Sequence, residues 1–253
     1  MLFRSDGREI KGDYFVFTCD PKPNYEKIFS LPLPSSLKKA YERVDMIRFS
    51  SYHTAFAVDG ELPFSGDYVF PLPDRLKIKL MTDNLILREF SHEPSFAPKG
   101  KSILQTLVFL NEPACKSFIA LKAKDRESYN IRKARLAEET KKAIVEHLPS
   151  LEGRLELLDV WTPSTYERFT GAEIGSYMGF ALPKKYIPKK SPSDIPELEN
   201  AFLATQWQMA PGGLPTAAEL GKIAIKKICA KEAAKFRTRG FKRKVCPRPA
   251  TQS

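Results

Sequence analysis

The chain has 253 residues, 42% apolar and 11% aromatic, which suits a buried core over one or two domains and argues against disorder. Its formal net charge of +11 does not call for specific nucleic-acid binding: residues 230–253 hold eight Lys or Arg against one Glu, and the preceding residues share only +4. No run of eighteen apolar residues occurs and the N-terminus lacks a charged-then-apolar leader, so no transmembrane helix and no secretion are expected. Cys19, Cys115, Cys229 and Cys246 are scattered, with no CxxC or His-rich spacing. That pattern fits a reducing, cytoplasmic compartment and gives no reason to expect a metal site. The basic tail reads as a solvated end, with weak peripheral contact to anionic lipid as the lesser alternative.

The first twenty residues read as a hairpin turning at Asp6-Gly7. Its second arm contains Tyr14-Phe15-Val16-Phe17, a fully apolar run that suits a strand covered on both faces. Residues 21–34 are proline-rich. Residues 35–41 form a short helix candidate capped by Ser35 or Ser36. Strand-like runs follow at 46–49, 54–58, 67–70, 77–79, 85–88 and 102–109, with turn chemistry at Asp59-Gly60 and Pro73-Asp74. Many strands without intervening helices predict an antiparallel sheet.

Residues 126–147 give the clearest helix, with Leu136, Thr140, Ala143, Ile144, His147 and Leu148 on one face and Pro149 limiting its end. Residues 154–161 predict another strand. After a Lys- and Pro-rich loop at 184–196, residues 201–204 read as a short strand, 206–215 as a turn and 216–229 as a helix. The helix carries a stripe of Ala217, Gly221, Ala224 and Ile228, small enough for close packing on a sheet.

This last strand–turn–helix unit carries the chemistry. Gly212-Gly213 permits backbone conformations closed to other residues and leaves no side chain between backbone and ligand. The helix behind it presents unengaged N–H groups and a positive dipole end, and Pro215 sits where a first-turn proline is tolerated. Such a unit can hold an anion or an electron-rich carbonyl edge, although many Gly-Gly turns before helices are only turns.

The stretch AFLATQWQMAPGGLPTAAELGKIAIKKIC (201–229) resembles the C-terminal flavin motif of the phytoene desaturase-like branch of the FAD-dependent amine oxidase superfamily. Residues 159–180 (DVWTPSTYERFTGAEIGSYMGF) are similar to that family's Thr-Pro-x-Thr-x-Glu-Arg-Tyr segment. Residues 91–109 resemble its Ser-x-x-Asp-Pro-x-x-Ala-Pro-x-Gly strand approach, and the first twenty residues its strand pair leading back to the flavin domain. The resemblance implies an FAD contact formed by Thr205, Gln206, Trp207, Pro211, Gly212, Gly213, Leu214 and Pro215. It also implies an apolar small-molecule substrate, polyene or lipid-like, lined by Tyr166, Phe169, Tyr177 and Phe180. The redox chemistry would belong to the flavin, and no side chain is assigned as acid or base.

Four departures stand out. Thr205 replaces a usual glycine, Glu93 a common Asp, and Glu219 precedes Gly221 where the family often has Ser-Gly. No GxGxxG occurs anywhere, so the pyrophosphate cradle is absent and a missing N-terminal FAD-binding part is implied as partner.

The expected fold class is therefore α+β (α/β in the complete enzyme): an antiparallel-sheet substrate domain with helices plus an incomplete Rossmann-like FAD-binding portion. The expected division is 1–20 for a strand pair of the FAD domain, 21–158 for the substrate domain, 159–229 for the return to the FAD domain and 230–253 for the tail. His53, His92 and His147 read as isolated.

Overall fold

A computed structural model describes residues 2–3, 7–43, 47–76, 82–176, 178–182 and 190–238. β1 (Leu2–Phe3) and β2 (Glu9–Ile10) form the expected antiparallel hairpin. β3 (Phe15–Phe17) leaves it and pairs elsewhere. Asp20 caps α1 (Pro21–Asn24) by accepting the Lys22 N–H at 3.0 Å, and a π-helical turn continues to Phe29. α2 (Ser35–Glu42) starts where expected, but its cap position is Pro34, which makes no side-chain cap bond, and neither Ser35 nor Ser36 caps it.

The expected strands at 46–49 and 54–58 are one thirteen-residue strand, β4 (Ile47–Asp59). Its neighbours are β5 (Asp67–Pro71), β6 (Asn84–Glu89) and β7 (Lys101–Asn111) on one side and β8 (Leu155–Trp161) on the other, in the order β5-β6-β7-β4-β8, every pair antiparallel. The expected strand at 77–79 lies outside the described residues.

Between β7 and β8 run α3 (Glu112–Lys124) and α4 (Arg126–His147). α3 goes unannounced by periodicity. Asn111 caps it, and Pro113 falls in its first turn, where a missing N–H costs nothing. α4 has the anticipated bounds and buries Leu136, Thr140, Ala143 and Ile144. Tyr52, Phe56 and Val58 of β4 and Leu104, Val108 and Leu110 of β7 pack with Phe118, Leu136 and Ile144 in one large core. The alternation places these strand residues on one sheet face.

After β8 come α5 (Pro163–Thr170), capped by Thr162, and β9 (Phe180–Ala181), which pairs with the start of β4 through Arg48↔Phe180. β10 (Asp194–Ile195), β11 (Leu198–Leu203) and β3 then make a separate three-stranded sheet in the order β10-β11-β3. Here β3 runs parallel to β11, with Ala201↔Phe15, Phe202↔Val16 and Leu203↔Phe17 in register. β3 is thus an edge strand in the described sheet. Phe15 and Phe17 are half-buried and Val16 is 38% exposed, which corrects the expectation of a strand covered on both faces.

α6 (Leu214–Lys231) closes the unit. Its buried stripe is Thr216, Leu220 and Ala224; Ala217, Gly221 and Ile228 are only half-buried, and nothing lies close to Gly221. α6 crosses the proposed boundary at 230, and beyond it Tyr14 donates its hydroxyl to Glu232. The chain is α+β. No described helix is long and apolar enough to cross a membrane.

Candidate functional site

β11 ends at Leu203, and the next N–H, from Ala204, still donates to Phe17 O at 2.9 Å. The chain then turns through residues 205–213, braced by two glutamines. Gln208 Oε1 accepts the Thr205 N–H at 2.9 Å while its Nε2 donates to Pro192 O at 2.8 Å. Gln206 Oε1 accepts the Gly213 N–H at 2.7 Å. The Gly212 N–H donates to Phe180 O, and Thr216 Oγ1 to Pro211 O at 2.6 Å.

The two glycines are needed for different reasons. A Cβ on Gly212 would stand 1.7 Å from Met178 O, so the chain's own backbone fills that space. Gly213 has φ +99°, with nothing nearer than 3.9 Å to its missing Cβ. It is glycine for conformation, and a Cβ there would only touch the Met178 and Pro215 side chains at ordinary contact distance. Pro211, Leu214 and Pro215 are exposed, Leu214 at 86%. Thr205 and Trp207 are buried. The Thr205 side chain therefore points into the interior, not toward a ligand crossing the turn.

Trp207 belongs to an aromatic trio. Tyr41 of α2 stacks on it at 5.4 Å and 12°, and Phe180 meets it edge-on at 5.0 Å. The Tyr41 hydroxyl donates to Asp20, whose carboxylate also accepts the Lys22 and Glu173 N–H groups, each at 3.0 Å. Burial raises the Asp20 pKa against these three bonds, and burial together with the Asp20 charge raises that of Tyr41.

Arg48, beside Phe180 in register, bridges Glu112 of α3 (2.8 Å) and Glu173 (2.6 Å), while Lys22 reaches Glu173 at 3.1 Å. Burial opposes ionisation of Glu112, but Lys116 and Arg48 outweigh it and hold the carboxyl below its usual range. A cavity of about 620 Å³ adjoins the trio, bounded by Ala40, Phe180, Trp207, Gln208, Met209 and Ala210 among others.

The residues named as substrate-lining do not converge. Phe180 joins Trp207. Tyr166 lies elsewhere, on the sheet face opposite the main core, where its hydroxyl accepts from Ser51 Oγ at 3.3 Å. Ser51 Oγ in turn lies 3.0 Å from His53 Nε2. Phe169 is 76% exposed with Arg168 over its ring, so it does not face a tunnel. Tyr177 lies outside the described residues.

His53 is not isolated. It is buried against Trp161 and Tyr166, and burial lowers its pKa to about 4. His147 stacks on Phe70 at 3.9 Å.

Sequence reasoning missed Tyr41, Asp20, Arg48, Glu112 and Glu173. Asp20 before Pro21 is a readable helix-start signal. The Arg48 bridge spans 64 and 125 residues and leaves no local trace. No described group of three or more His, Cys, Asp or Glu could hold a metal ion. Neither any protein-family model nor any curated protein matches the chain.

Proposed function

We propose that the chain is the substrate-binding and C-terminal flavin portion of an FAD-dependent oxidoreductase of the phytoene desaturase-like type. It would act on an apolar polyene or lipid-like substrate, with its dinucleotide-binding part supplied from outside residues 1–253. The observation that carries this reading is the parallel β3–β11 pair, whose carboxyl end leads through the Gly213 turn into α6. Ligands of parallel sheets bind outside the carboxyl ends of the strands, and a helix N-terminus there favours negative charge.

The residues fit the ring edge of the cofactor and not its pyrophosphate. Pro211, Leu214 and Pro215 are exposed and Gly213 is half-buried, while Thr205, Trp207 and Gly212 are enclosed and shape the turn. When bound, FAD would supply the hydride acceptor. The chain would position the ring and, through the first turn of α6, stabilise charge on it.

The test is flavin content. The chain alone should retain no stoichiometric FAD after excess is removed. Expressed with an in-frame strand-GxGxxG-helix part encoded upstream of Met1, it should retain one per chain. Gly213→Val should then lower flavin content and single-turnover reduction, because a branched side chain is strained at φ +99° and would intrude on the place proposed for the ring. Unchanged content and rate in that variant would refute the reading.

One observation favours a second reading, a non-catalytic fragment or binding subunit of a split flavoprotein. Gly212 is needed by Met178 O, so half of the glycine signature has a structural cause.

A further inference from the structure

No further inference is drawn: the strongest candidate, the edge of the smaller sheet where β3 presents Val16 to solvent, is an unpartnered apolar surface among the described residues, and nothing in the structure shows what covers it.

Discussion

The antiparallel sheet and the three-stranded sheet hold together by different means. The first gathers twenty-one of the described buried residues into one cluster between its face and α3–α4. The second has two small clusters, of five and three buried residues among those described, on opposite faces of β11. It also presents β3 as an edge with Val16 exposed. A single contiguous core resists opening as a unit, whereas divided clusters open locally at lower cost. The smaller sheet is tied to the larger through Asp20, Tyr41, Lys22, Glu173 and Arg48, a polar link where the larger one relies on apolar burial. Flavin contacts placed on the smaller sheet would thus sit on the more adjustable part of the molecule.

The largest test of this contrast is a pair of cavity mutations. Phe56→Ala, in the main cluster, should cost about 3–5 kcal/mol and lower the global unfolding midpoint. Phe202→Ala should instead speed amide exchange in β11 and β3 while β4 and β7 stay protected. Equal loss of protection in both sheets would show that they form one cooperative unit.

A second test uses pH. His53 has its pKa lowered to about 4 by burial, from 6.5 for the free side chain. Between these values the unfolded chain binds the proton and the folded one does not, so stability rises with pH through this window. It is complete above about 6.5 and lost toward 4, by up to about 3 kcal/mol. His53→Gln should flatten the denaturation midpoint over that range. A slope unchanged by the substitution would assign it to other groups.

The smallest effect is expected at the link. Arg48→Met keeps length and apolar bulk but frees two carboxylates that retain Lys116 and Lys22. The expected cost is about 1–2 kcal/mol, below that of breaking a fully buried pair, because Glu112 and Glu173 are partly exposed. Exchange should quicken in β9 and around Glu173 before it does in β7. A loss confined to α3 would place the link elsewhere.

Local chemistry made several elements legible. α4 shows its 3.6-residue period and its Pro149 stop, and β5–β8 show alternating or apolar runs between turn residues. Gly213 was readable as a special backbone position because φ +99° demands glycine in any context. α3 was hidden, since its buried residues, Ala114, Cys115 and Phe118, form too short a stripe to show a period.

What the residues determined alone was thus the α+β class, most element positions and the turn before α6, because propensity, caps and turn conformations act over a few neighbours. Tertiary structure decided three other things: the parallel union of β3 with β11 across almost two hundred residues, the occupation of Gly212's space by Met178 O, and the meeting of Tyr41, Phe180 and Trp207. Each depends on distances between segments far apart in the chain. Hydrophobic burial and backbone hydrogen bonding choose such neighbours only when the whole molecule has closed, so no local pattern records them.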